Sequence, residues 1–131
     1  MRYPIETPCV HLRSYVHQGC RYYCDRYGNV FLYDGHHNKW HVPYINKVKN
    51  PLRSSNYQPY DHISIRIAHS HSNILVHRLV AFCWIGLPNL FQRQIDHVDG
   101  DKHNNRADNL RWCSAKENTH FYLQTKKQKQ K

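Results

Sequence analysis

Negative charge is what this chain has least of: nine Asp and Glu stand against nineteen Lys and Arg in 131 residues, a formal net charge of +10. Long apolar runs are missing as well. The longest, 79–87, falls far below the roughly 20 residues a membrane-spanning helix needs. No charged-then-apolar leader opens the chain, so no membrane partner is expected and the cytoplasm is the default compartment. The five cysteines include no Cys-x-x-Cys pair, and their odd number does not suggest a disulfide framework. Cys20 and Cys24, with His11 and His17 upstream, could be drawn into a structural zinc site, but at no recognised ligand spacing. Cys83 and Cys113 sit in apolar runs, where thiols act as small buried hydrophobes. With no internal repeat, the length allows one domain, or one small core with an arm.

The placement of charge says more than its sum. Between Asp96 and Asn118 there are four Lys/Arg and five Asp/Glu, while the remainder carries fifteen Lys/Arg against four Asp/Glu, close to +11. A basic body around a locally acidic pocket suits a protein that grips a polyanion and sets a divalent cation on it. Many small soluble proteins are basic without binding nucleic acid, so charge alone does not decide.

Residues 1–20 hold Pro4 and Pro8 without a sustained period and read as an irregular arm or a short element leaning on the core. Residues 21–25 and 30–33 flank Tyr27-Gly28-Asn29 in a hairpin pattern. A further strand is expected over 39–44, interrupted by Pro43, and then a long loop over 46–60. Residues 62–68 alternate cleanly, with Ile63, Ile65 and Ile67 on one face of a strand. Residues 69–73 read as a turn and 74–76 as a short apolar continuation. Residues 76–85 switch to a helical period, closed by Gly86 and Pro88. Residues 94–97 and 109–113 read as short strands. Ser114 and Glu117 form a capping box that opens a helix carrying Asn118, Phe121 and Tyr122. The polar run 126–131 is expected to fray. The class is α+β, an N-terminal antiparallel β-sheet with one helix leading into a strand–loop–strand–helix unit.

That unit carries the chemistry. Hydrolysis of a phosphodiester needs a cation to offset transition-state charge and a base to take a proton from water. Asp96 and Asn118 offer oxygen donors to a hard cation, and His97 offers an imidazole that is neutral near pH 7. Asp96 and Asn118 lie 22 positions apart, a gap that a hairpin followed by one helical turn closes.

The run Asp96-His97-Val98-Asp99-Gly100, then Asn104-Asn105, Asn109-Leu110-Arg111-Trp112 and Glu117-Asn118, resembles the HNH endonucleases, the ββα-metal nucleases. The preceding Val76-His77-Arg78-Leu79-Val80-Ala81 is similar to the helix leading into that motif in phage- and intron-encoded, homing-endonuclease-like members. Two blocks in the right order make the signal specific.

The resemblance implies a metal-dependent DNA endonuclease with a C-terminal ββα-metal nuclease motif. It implies a division into a β-rich, DNA-binding region over 1–73, the nuclease region over 74–123 and a basic tail over 124–131. Asp96 would be a metal ligand and His97 the general base. Asn109 would tie the loop together and help orient His97. Asn118 would stand where many relatives have a third His and bind the metal through its amide oxygen. A carboxylate and an amide suit Mg²⁺ or Mn²⁺ better than zinc. Single-metal hydrolysis would leave 5′-phosphate and 3′-hydroxyl ends. One pocket cuts one strand, so a monomer would nick double-stranded DNA and a symmetric homodimer could cut both strands. Arg78, His77, Arg93, Arg106, Arg111 and Lys116 are the expected DNA contacts. Intron homing, phage competition and restriction all stay open as settings, with a host cell as the compartment for a phage-borne gene.

Duller readings stand beside these. Asp99, Asp101, Asn104 and Asn105 are turn formers that hold loops. His103 reads as a solvated loop residue, Trp112 as core, and His120 as lying on another helix face from Asn118. His77 is divided between packing and phosphate contact. Nine of the ten tyrosines precede residue 61, where they could line a DNA groove or fill strand faces. Family relatives often carry a DNA-binding module after the motif, and only 13 residues follow Asn118, which places recognition in the N-terminal part, in a partner or in loose specificity. The rivals are a non-catalytic DNA-binding protein with a degenerate HNH motif, a structural zinc protein and an RNA-directed enzyme.

Overall fold

The computed structural model describes residues 2–47, 60–67 and 69–129. Most of the long loop expected over 46–60 therefore lies outside the described residues.

Five antiparallel strands form the first sheet: β1 (Arg2–Ile5), β2 (Arg13–His17), β3 (Cys20–Cys24), β4 (Val30–Asp34) and β5 (Lys39–Pro43), in the order β1-β5-β4-β3-β2. The expected hairpin is β3–β4, paired Tyr23↔Phe31 and Cys24↔Val30. The N-terminal arm supplies two strands, β1 and β2, that pair into the sheet, with residues 6–12 between them outside any strand or helix. Pro4 is accommodated because β1 is an edge strand, where a missing N–H costs no ladder bond. The β2–β3 loop has Gln18 at φ 50° and Gly19 at φ 77°, the two-residue geometry that matches strand twist.

The alternating run becomes β6 (His62–Ile67), and the expected turn over 69–73 is instead part of its partner β7 (Ser70–Leu75). Helix α1 (Val76–Trp84) follows directly and buries Val76, Leu79, Val80, Ala81 and Cys83. Strands β8 (Gln94–His97) and β9 (Leu110–Cys113) pair with Asp96 opposite Arg111 and His97 opposite Leu110. Helix α2 (Ala115–Lys129) is closed at its start by the expected capping box. The Glu117 N–H donates to Ser114 Oγ at 3.1 Å, and the Ser114 N–H donates to Glu117 Oε1 at 3.0 Å. The helix continues through the segment expected to fray, as far as Lys129.

One apolar cluster links the first sheet, the β6–β7 hairpin, α1 and the β8–β9 pair. It joins Tyr22, Cys24, Val30 and Leu32 of the first sheet to Ile63 and Ile74 of the hairpin, to the buried face of α1, and to Ile95 and Leu110 of β8 and β9. Indole N–H groups inside it are satisfied: Trp84 donates to the Cys24 carbonyl and Trp112 to the Gly86 carbonyl, each at 3.0 Å. Among the described residues no helix is long and apolar enough to cross a membrane.

Candidate active site

Successive side chains on β8 point to opposite faces, so Gln94 and Asp96 share one face while Ile95 and His97 share the other. On the first face, the Asn118 Nδ2 donates to Gln94 Oε1 at 2.9 Å, which draws the first turn of α2 over the strand. The Arg111 guanidinium donates to Asp96 Oδ2 through Nε at 2.9 Å and Nη2 at 2.8 Å, and stacks 3.4 Å from the Phe121 ring centroid on the same helix. Asp96 Oδ1 and Asn118 Oδ1 have no hydrogen-bond partner among the described residues. Two free oxygens, one carboxylate and one amide, fit a hard cation that keeps most of its waters. Among the described residues there is no group of three or more His, Cys, Asp and Glu side chains placed to hold a metal, the composition a closed structural zinc site would need. Cys24 lies fully buried against Cys83.

On the opposite face, His97 is 5% exposed. Its ring lies parallel to Tyr60 at 5.9 Å and edge-on to His77 at 5.1 Å. Its Nε2 sits 2.9 Å from Asn105 Oδ1, and Asn105 Nδ2 donates to Asp61 Oδ2 at 3.2 Å. This chain fixes the tautomer. A carboxylate only accepts, so the Asn105 amide nitrogen must face Asp61 and its oxygen must face His97. Neutral His97 then carries its proton on Nε2 and keeps the Nδ1 lone pair free. Burial holds the His97 pKa below 6.5, against the opposing pull of Asn105, Asp96, Asp99 and Asp101, so the ring is neutral at pH 7. Asp96 also helps burial raise the Tyr60 hydroxyl pKa, which puts that carboxylate within electrostatic reach of both rings.

Asn109 does tie the loop together. Its Nδ2 donates to Asp99 Oδ1 at 2.9 Å and to the Asn104 carbonyl at 2.8 Å, and its Oδ1 accepts the Asp99 N–H at 3.0 Å. The hydrogen bond that orients His97, however, comes from Asn105, which sequence reasoning had placed among the turn formers. Asp99 and Asp101 act as loop holders, accepting the N–H groups of Asp101 and His103. The loop is short enough for Asn109 to span it, so the amide four residues earlier is the one that reaches the ring. His103 is tied to Asp61 rather than free in solvent. Asp61 and Tyr60 precede the motif by more than thirty positions, and nothing in their own sequence context marks them.

Among the expected DNA contacts, Lys116, Arg93 and Arg106 are exposed, Arg106 with an ion pair to Asp108. Arg78 is half-buried; it donates to the Arg93 carbonyl at 3.0 Å and lies over Trp112. Arg111 is committed to Asp96. His77 is buried, its Nδ1 has no partner, and burial, then His97, then Arg78 push its pKa down to about 3.

Three likenesses bear on this geometry. Residues 75–120 match the family described as HNH endonuclease. A stretch of 64 residues is 36% identical to an uncharacterized HNH endonuclease of Acanthamoeba polyphaga mimivirus, covering 49% of this chain and 19% of that protein. The structure described as DNA binding and cleavage by the HNH homing endonuclease I-HmuI superposes with a TM-score of 0.51 at 26% identity, over 79% of this chain and 52% of that one. The chain thus spans about half of the structural relative and about a fifth of the viral one.

Proposed function

We propose, from the match of residues 75–120 to the HNH endonuclease family, that the chain is a metal-dependent DNA endonuclease with His97 as its general base. The carrying observation is the Asp61–Asn105–His97 chain, which leaves Nδ1 as a neutral lone pair on the strand position next to Asp96. A neutral base with a fixed tautomer is what deprotonation of a phosphodiester-attacking water requires. Asp96 Oδ1 and Asn118 Oδ1 would hold Mg²⁺ or Mn²⁺, which when bound offsets the charge of the phosphate and of the departing 3′ oxygen.

His97 Nδ1 accepts the water's proton while Nε2–H stays on Asn105 Oδ1. The imidazolium so formed has the Asp61 carboxylate behind that amide, which favours its charge. The products carry 5′-phosphate and 3′-hydroxyl ends. The substrate is double-stranded DNA, nicked by a monomer and cut through by a homodimer. I-HmuI is described as binding and cleaving DNA, which supports this substrate. The first sheet would supply recognition beside the pocket.

The test is nicking of supercoiled plasmid with Mg²⁺, comparing the protein with His97→Ala. A general base contributes about 10²- to 10⁴-fold, so the variant should lose at least 100-fold in rate while binding DNA as before. Retention of activity within a fewfold removes His97 from the mechanism. DNA binding without any divalent-dependent nicking by the unaltered protein returns the non-catalytic reading.

A further inference from the structure

The loop between α1 and β8 holds large apolar side chains in water: Leu87, Leu90 and Phe91 are 73%, 78% and 84% exposed. The loop is nevertheless firmly tied. The Asn89 side chain accepts the N–H groups of Phe91 and Gln92 at 2.9 and 2.7 Å and donates to Gln92 Oε1 at 3.0 Å. Gln92 Nε2 donates to Glu117 in the first turn of α2 at 3.0 Å, and Arg78 of α1 holds the Arg93 carbonyl. Leu90 and Phe91 therefore project from a loop braced by the helix before it and the helix after it.

We propose that Leu90 and Phe91 form a wedge that enters the minor groove of duplex DNA and partly unstacks a base step beside the cut. The proposal rests on the endonuclease reading. Leu, Phe and Pro are the side chains that groove-bending proteins push between base steps, and Pro88-Asn89-Leu90-Phe91 supplies all three. Phe91 lies five positions before Asp96, which at about 3.3 Å each span at most about 17 Å, or about five base-pair rises. Arg93, two positions on, and Lys116, next to the Glu117 that Gln92 binds, are exposed cations suited to phosphate contacts. The site itself gives the wedge a purpose. His97 is recessed beneath the surface, and a regular duplex does not push a phosphate into a recess, whereas an unstacked and kinked one can. A patch of a few side chains is also small beside the roughly 800 Å² per partner of a stable protein interface.

The test uses His97→Ala protein, so that cleavage does not interfere, on nicked plasmid resealed by ligase. Wedge insertion unwinds the duplex, so the linking number of the resealed circles should shift in proportion to bound protein. Adding Leu90→Ala and Phe91→Ala should abolish the shift. Binding to mixed-sequence duplex should keep its salt slope, because no phosphate contact is lost, and thermal stability should be unchanged, because both side chains are exposed. An equal shift from the triple variant overturns the wedge. Salt-sensitive binding by His97→Ala with no shift overturns the wedge and leaves the endonuclease reading standing. Absence of DNA binding in both proteins overturns both. A dimer of the His97→Ala protein that the two added substitutions convert to monomer, with no change in linking number, assigns the patch to a second copy and overturns the proposal.

Discussion

Asn105 fixes which nitrogen of neutral His97 carries the proton, and it does so only because Asp61 forbids its amide to turn over. Asn105→Ala should therefore leave His97 present but free to exchange tautomers. Removing such an orienting partner typically costs about 10- to 100-fold in activity, and we expect kcat to fall by that amount with little change in KM. Imidazole ¹⁵N shifts in the metal-free protein provide the independent readout: one Nε2–H form in the unaltered chain, a mixture in the variant. A single tautomer in both would remove Asn105 from this role. His77 presents the opposite case, a buried imidazole with an orphaned Nδ1. Its folded pKa of about 3 lies below the unfolded value of 6.5, so the unfolded chain binds the proton first. Stability is then fully present above about pH 6.5 and falls as pH drops toward 3, by at most about 1.4 kcal/mol per pH unit from this one group. His97 shifts in the same direction. Urea midpoints should fall from pH 7.5 to pH 4, and His77→Phe should flatten that decline at little cost at neutral pH, since no hydrogen bond is lost.

At the level of elements, the β3–β4 turn does more than join two strands. Gly28 has φ +93°, and a Cβ there would lie 2.7 Å from the Asn105 carbonyl oxygen. Two residues along on each segment, the Ala107 N–H donates to the Arg26 carbonyl at 2.9 Å. Gly28→Ala thus meets both backbone strain and a backbone clash. A loss of about 1–3 kcal/mol is expected from the strained φ alone, read as a lowered urea midpoint, together with reduced nicking as Asn105 is displaced. An unchanged midpoint would show that the turn can yield. The turn itself was legible, because Gly-Asn punctuation between aromatic runs has a single good reading. So were β6, α1, β8, β9 and the capping box, each with a clear period or cap. Strands β1, β2 and β7 were not. Pro4 argues against a strand until the strand is known to lie at an edge, Gln18 is an unusual residue for a left-handed hairpin position, and most of Ser70 to Asn73 faces solvent with no apolar alternation to mark it. Within the candidate site, Asp96, His97, Asn109 and Asn118 were picked out as candidates by residue chemistry and family resemblance. Asn105 was named for the wrong task, and Asp61 is joined to the site only by folding.

Over the whole molecule, the charge of +10 sets how any polyanion is met. With cations on several faces and a local acidic pocket, affinity for duplex DNA should fall linearly in log–log form with added salt. If 6–10 phosphates are engaged, the loss between 50 and 200 mM is about 10³- to 10⁵-fold. Fluorescence anisotropy with a mixed-sequence duplex measures this, and a flat response would contradict phosphate gripping. The shared apolar cluster has a different effect, for it makes a division at 73/74 a boundary in sequence that the packing does not respect.

A segment of 74–123 moved onto another scaffold would carry the three side chains proposed for the chemistry but would leave behind Asp61, which orders the imidazole, and Gly28, whose missing side chain makes room for the loop. Such a transplant would inherit the letters of the motif without its grammar, and any useful chimera must bring the hairpin turn and the residue before β6 along with it.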